Sequence, residues 1–232
     1  MNVIGKLRER IRQKGLGNLL KAFFKRYVYF HWELIWMERD LTTPVPTHSL
    51  RAYAGLRQVN ITADNGVAFT RHFGDRVETM AELAAQGHTG HMYLDEEGHA
   101  AAFIWGTTLP YHDRHYYGCR FLVKPGEYFQ FNGEMARPYF GTRLSVDAQT
   151  NLWETMQTLG CNKVVNVCAS HNIPALKLHI RMGYHEQGRV THVYGLFGGR
   201  WRFHRETRYQ GSRLDPLRKP GRPVVAGATA GA

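Results

Sequence analysis

The sequence predicts an α/β (α+β) fold: a mixed central sheet flanked by helices and preceded by an N-terminal amphipathic helical extension. Two observations carry this. Between residues 50 and 200 the apolar pattern switches back and forth between a period near two and a period near 3.6, with Gly-containing turns at the switches. Ahead of that region, Ile4, Leu7, Ile11, Leu19, Leu20, Phe23, Phe24, Tyr27 and Phe30 recur at helical spacing, and Arg8, Arg12, Lys14, Lys21, Lys25 and Arg26 fill much of the rest. At 232 residues and 43% hydrophobic, the chain has material for one substantial core with appendages. The expected organisation is a basic amphipathic extension over 1–45, a compact domain over 46–205, and a basic, disordered tail over 206–232.

In chain order, residues 2–39 read as two helices broken at Gly15-Leu16-Gly17, a pattern suited to an anionic membrane surface or to packing on the domain itself. Thr42-Thr43-Pro44-Val45-Pro46 ends this extension. Leu56–Ile61 reads as a strand, Thr62–Asn65 as a helix start, and 77–85 as a helix with Met80, Leu83 and Ala84 on one face. His91–Leu94 and Ala100–Thr107 flank Asp95-Glu96-Glu97-Gly98, which has hairpin-loop chemistry. A further strand over Cys119–Val123 reaches the turn Lys124-Pro125-Gly126, and Tyr128–Met135 follows as a strand.

The pattern then gives a helix over Thr142–Leu159 closed by Gly160, a short strand over Val164–Cys168, and a helix with Pro174 in its first turn that ends at Gly183. The small and β-branched residues of 164–168 imply burial on both faces. Tyr184–Phe197 returns as a strand, and the basic stretch from Arg200 onward holds a short strand at best.

The formal net charge of +11 points to an anionic partner, whether a phosphate-bearing cofactor, an acidic membrane face or nucleic acid. No RNP, KH, helix-turn-helix or finger signature supports nucleic acid. Cys119, Cys161 and Cys168 are three in number without CxxC spacing, and the thirteen histidines form no HxxxH or HExxH pair, so no metal site is expected. A reducing, cytoplasmic setting fits the cysteines, with a peripheral place on the inner membrane face open to the N-terminal stretch. Charges at Lys6, Arg8, Glu9, Arg10 and Arg12 leave no apolar leader core, and no uncharged N-terminal run approaches the ~20 residues that span a bilayer.

Asn172-x-x-Ala175-x-x-Leu178-His179-Ile180-Arg181-Met182-Gly183-Tyr184 resembles the N-x-x-A-x-x-L-Y-E-K-x-G-F motif of the GNAT superfamily of acyl-coenzyme A N-acyltransferases. The order of elements over residues 50–205 is similar as well, and Leu159-Gly160 with Val164–Ala169 matches the end of that family's third helix and its fifth strand. The family's pyrophosphate loop, R-G-x-G-x-G/A, falls on Phe140–Ser145 in a degenerate form. Gly141 fits and Ser145 is small, but Phe140 stands for the arginine and Arg143 for the central glycine.

The resemblance implies direct attack of a primary amine on the carbonyl of an acetyl-CoA or other acyl-CoA thioester held between two splayed strands. It implies cofactor contacts from Met135, Arg137, Gly141, Thr142, Arg143, Ser145, Asn172 and Ala175. Glu134, at the end of a strand, is the candidate base, with Glu127 in reserve. His179, where the family has a tyrosine, is the candidate acid for the leaving thiolate, since an ordinary imidazole with pKa of about 6.5 keeps a protonated fraction at neutral pH. His171 is a further candidate, and Tyr184 is expected to pack in the core.

The acceptor is left open; Arg200, Arg202, Arg205, Arg208 and the aromatic loop Tyr111–Tyr117 suit an anionic or sugar-like molecule, including a nucleotide- or lipid-linked amino sugar. An acyl-carrier protein as donor is one alternative. A non-catalytic domain that binds membrane or nucleic acid is the other.

Overall fold

The structure, a computed structural model, describes residues 28–45 and 50–218. Ten strands and four helices are present among them: β1 Tyr29–Asp40, β2 Arg57–Asn60, α1 Thr70–Phe73, α2 Val77–Ala85, β3 Thr89–Leu94, β4 Ala100–Thr107, β5 Tyr111–His112, β6 Arg120–Phe121, β7 Glu127–Met135, α3 Leu144–Thr158, β8 Lys163–Ala169, α4 Ile173–Arg181, β9 His185–Leu196 and β10 Trp201–Arg208. Eight strands form one mixed sheet in the order β10-β9-β1-β8-β7-β4-β3-β2, and β5 with β6 makes a small separate hairpin. The β7–β8 pair is parallel. The other neighbours run antiparallel.

Each face of the sheet carries its own apolar core. One gathers Leu34, Trp36, Phe69, Met80, Leu83, Phe103, Trp105 and Phe129, which places α1 and α2 on that side. The other gathers Ile35, Met37, Leu144, Leu152, Met156, Val164 and Leu176 beneath α3 and α4. Alternate β1 residues feed the two cores, as a period-two strand buried on both faces requires.

This corrects the reading of residues 29–39 as helix. Phe30, Leu34 and their neighbours fit helical spacing, but Tyr29–Met37 carries four aromatic side chains, Tyr29, Phe30, Trp32 and Trp36, with Leu34, Ile35 and Met37, so periodicity alone could not separate helix from strand. The chain pairs β1 on both edges, with β8 (Leu34 opposite Ala169) and with β9 (Tyr29 opposite Leu196). Arg39, 1% exposed, pins the end of β1 by donating to the carbonyls of Met182 (2.6 Å), Asp40 (2.8 Å), Thr43 (2.8 Å) and Pro44 (3.0 Å). The rest of the expected extension, residues 1–27, lies outside the described residues.

The C-terminal boundary also moves. Trp201–Arg208 is an eight-residue edge strand, and the chain after it packs on the domain through Leu214, 1% exposed, and through Glu186, which accepts from the Tyr209 hydroxyl (2.6 Å) and the Arg213 amide (3.0 Å). The expected tail over 206–232 therefore begins too early. Residues 219–232 lie outside the described residues. No helix among the described residues is long and apolar enough to cross a membrane.

Candidate active site

The centre of the sheet is open. Pairing of β7 with β8 runs only from Glu127–Lys163 to Gln130–Asn166, although β7 continues to Met135 and β8 to Ala169. Beyond that point each strand follows its other neighbour, β7 along β4 and β8 along β1. A bulge drives the divergence: Asn132 and Gly133 oppose Ile104 alone, and Asn132 is left-handed at φ 46. A cavity of about 380 Å³ occupies the gap, within the usual size of a small-molecule site. Its lining includes Phe103, Phe129 and Phe131 from one core and Ile104, Leu144 and Leu178 from the other, so it reaches both faces of the sheet.

Beneath the point of separation lies a polar network. Gln130 Oε1 accepts from the hydroxyls of Tyr184 (3.0 Å) and Tyr128 (3.3 Å) and from Trp153 Nε1 (3.4 Å), while Gln130 Nε2 donates to Gln149 (3.4 Å). Tyr184, 3% exposed, is thus the core residue expected of it. Asn166 Nδ2 donates to His179 Nε2 at 2.9 Å, which leaves the proton of a neutral ring on Nδ1. Five cavity-lining side chains have a buried polar atom without a hydrogen-bond partner among the described residues: the hydroxyls of Tyr111 and Tyr116, Asn132 Nδ2, Asn166 Oδ1 and His179 Nδ1. Buried groups of this kind are normally satisfied, and their concentration in one cavity marks a place made for a polar ligand.

Of the expected catalytic pair, both line the cavity. Glu134 forms an ion pair with Arg76 at 2.6 Å and is about one third exposed at its side chain, 38%. His179 departs from expectation. Burial away from solvent lowers its pKa to about 4, so at neutral pH the ring is neutral and holds no imidazolium for a leaving thiolate. Glu127 sits at the closed end of the β7–β8 pair, 3.9 Å from Lys163, and is not among the lining residues. His171 is exposed and also outside the lining.

The expected cofactor residues divide. Met135, Ser145, Asn172 and Ala175 line the cavity. Asn172 also caps α4, accepting from the Ala175 amide at 3.4 Å, and Pro174 occupies the first turn where its missing N–H costs nothing. Arg137, Gly141, Thr142 and Arg143 lie instead in the loop that leads into α3. That loop spends most of its amides on itself: Phe140 donates to Arg137, Thr142 to Tyr139, and Arg143 to Arg51. Thr142 is buried and its hydroxyl also donates to the Tyr139 carbonyl (2.7 Å), which leaves it no donor for a phosphate. Arg143 is exposed and paired with Asp147 at 2.9 Å, clear of the cavity.

Some room for phosphate remains. Gly141 is left-handed at φ 75, and a Cβ there would meet nothing within 4 Å. Val146 and Asp147 donate to the Arg143 carbonyl, and among the described residues no carbonyl takes the amides of Leu144 and Ser145 at the positive end of α3. Arg51, which sequence reasoning missed, is bridged to Thr142 and brings a third arginine to this loop beside Arg137 and Arg143. No local pattern around Arg51 could have revealed this, because the pairing spans a large sequence separation.

Asp113 was missed as well. It is 3% exposed, lines the cavity, and accepts from the amides of His115 (3.2 Å), Tyr116 (3.0 Å) and Tyr117 (2.9 Å), so it shapes the aromatic loop. Burial raises its pKa, with those amides opposing the shift. The signal was present as an aspartate at the start of a polar turn.

No protein-family model and no curated protein sequence matches the chain. Among solved structures, a Drosophila protein superposes with TM-score 0.51 at 11% identity, over 80% of this chain and 58% of that one. A GCN5-related N-acetyltransferase from Sphaerobacter thermophilus superposes with TM-score 0.50 at 14% identity, over 79% of this chain and 57% of that one. The fold is GNAT-like. At these identities what is shared is the fold, and the chain spans somewhat more than half the length of these two structures.

Proposed function

We propose that this protein is an N-acyltransferase that moves an acyl group from a coenzyme A thioester to a primary amine. The observation that carries the reading is the splay of β7 from β8 around the cavity, with the first turn of α3 at its edge. Strand edges that have parted company offer backbone donors and acceptors to an extended acyl arm, as an added strand would find them. The positive end of α3 and the arginines of its loop suit the phosphates.

In the reaction the amine nitrogen forms a bond to the thioester carbonyl carbon, and the carbon–sulfur bond breaks as the tetrahedral intermediate collapses. Glu134, at the cavity wall, takes the ammonium proton directly or through water. The neutral His179 donates a hydrogen bond from Nδ1 to the departing sulfur, whose proton then comes from solvent, so that histidine orients and stabilises without titrating near neutrality.

The lining supports a particular acceptor. Although the chain as a whole is basic, the charged side chains that line this cavity among the described residues are Asp113 and Glu134, with Arg76 behind the wall against Glu134 and Tyr116. Aromatic walls from Tyr111, Phe121, Phe129 and Phe131, with the unpartnered Tyr111, Tyr116 and Asn132 groups, fit the face and hydroxyls of an amino sugar. A phosphate, nucleotide or lipid linked to that sugar would lie outside the cavity, nearer the arginines.

The test is a melting-temperature screen with free coenzyme A, acyl-CoAs of several lengths and loaded acyl-carrier protein, followed by mass detection of acylated amines from a panel that includes glucosamine. A rise with acetyl-CoA and acetylation of an amino sugar are expected. If no acyl thioester raises the melting temperature at saturation, the enzyme reading is lost; if only the carrier protein does, the donor is wrong.

A further inference from the structure

Far along the sheet from the cavity, β9 turns into β10 through Phe197-Gly198-Gly199-Arg200, and this tip is built to protrude. Three consecutive residues are left-handed, Phe197 at φ 51, Gly198 at φ 68 and Gly199 at φ 86. For the two glycines that conformation is ordinary. A bulky aromatic residue adopts it rarely, and such outliers persist where the surroundings enforce them. The Phe30 ring lies against Gly195, where an added Cβ would come within 2.1 Å of it, and the Phe197 amide donates to the Val28 carbonyl at 2.9 Å. The turn is therefore held from beneath by β1.

What it holds outward is aromatic. Phe197 is 58% exposed, Trp201 61% and Phe203 56%, the highest concentration of large exposed apolar side chains in the described residues. Phe197 and Trp201 pack edge to face with centroids 5.6 Å apart. Trp201 and Phe203 point to the same face of the edge strand, and Tyr29, opposite Leu196, extends the patch across the sheet. Arg200 and Arg205 flank it, exposed and in no ion pair among the described residues. The carboxylates of this corner are engaged elsewhere, Glu206 with Arg189 (3.5 Å) and Glu33 with Arg213 (2.7 Å).

We propose that the β9–β10 tip docks the protein on an anionic lipid surface, with Phe197, Trp201 and Phe203 entering the headgroup boundary and Arg200 and Arg205 meeting lipid phosphates. Aromatic rings with a wet edge and an apolar body favour that boundary, and arginine adds charge that falls off with salt. The tip is convex. A nucleic-acid strand would need a groove, and a stable protein interface would need a larger apolar area than one hairpin end supplies.

The experiment is co-sedimentation of the full chain with phosphatidylcholine vesicles, with and without phosphatidylglycerol, at low and high salt. Binding to the phosphatidylglycerol vesicles, weakened by salt, is expected. The full-length F197S/W201S protein should partition at least about tenfold less at an unchanged melting temperature. If that variant folds poorly, R200E/R205E serves in its place and should lose the anionic preference. Wild-type protein that stays in the supernatant would overturn the proposal. So would variants that bind as wild type does, which would assign binding to residues 2–27, or preference for a single-stranded oligonucleotide over vesicles.

Discussion

His179 shows how a single environment changes what a residue can do. The ring occupies the position where the sequence motif carries a hydroxyl-bearing side chain, but burial holds it neutral with a pKa of about 4. In the unfolded chain the same group titrates near its ordinary value of about 6.5. Between those values the unfolded state binds the extra proton, so His179 costs stability as pH falls from about 6.5 to about 4 and costs nothing more below. His179→Gln should flatten that part of the pH dependence, read as urea midpoints at pH 7 and pH 5, and should leave the pH–rate profile near neutrality unchanged in shape. Glu134 is the opposite case. Glu134→Gln should lower kcat by about 10²- to 10⁴-fold with the donor KM little moved, measured by single-turnover acylation of a working amine.

Both residues were legible from position in a motif and at a strand end. Arg51 was not, because it acts through a backbone pairing that no local pattern reports; Asp113 carried only the local signal of an aspartate that opens a turn. The substitution of Phe140 and Arg143 into the expected phosphate loop was legible, and the structure supplies its consequence: the loop satisfies its own amides and leaves only the entry to α3 open.

At the scale of elements, α2, β4 and the α3–β8–α4 succession were readable because their apolar spacing, capping residues and closing glycines agree. β1 was misread because its two faces are both buried, which erases the alternation that identifies a strand. Its far end depends on Arg39, whose guanidinium serves four carbonyls and stacks 4.4 Å over Trp153. Arg39→Ala would leave the Met182 carbonyl without its donor at a buried position and empty the space over Trp153. A loss of about 3 kcal/mol or more is expected, measured by urea unfolding. Arg39→Lys should recover only a fraction, since one ammonium cannot reach what a planar fork reaches.

For the whole molecule, the position of β1 between β8 and β9 makes Tyr29–Asp40 an integral part of the sheet. A chain beginning at residue 41 should therefore lack a cooperative thermal transition by circular dichroism, whereas a merely appended extension could be removed without that loss. A sharp melt near the full-length value would refute the placement. The same arrangement could not have been read from sequence, because strand order depends on pairings among residues far apart and is fixed only by the assembled cores.

That order also carries a cost during synthesis. The Trp36 indole finds its hydrogen-bond partner, the Thr191 hydroxyl at 2.8 Å, 155 residues later. At about 5–20 residues per second, β1 leaves the ribosome roughly 10–30 s before β9 exists to accept it. For that interval an aromatic strand has neither of its sheet neighbours, so the sheet closes only after nearly the whole domain has been made.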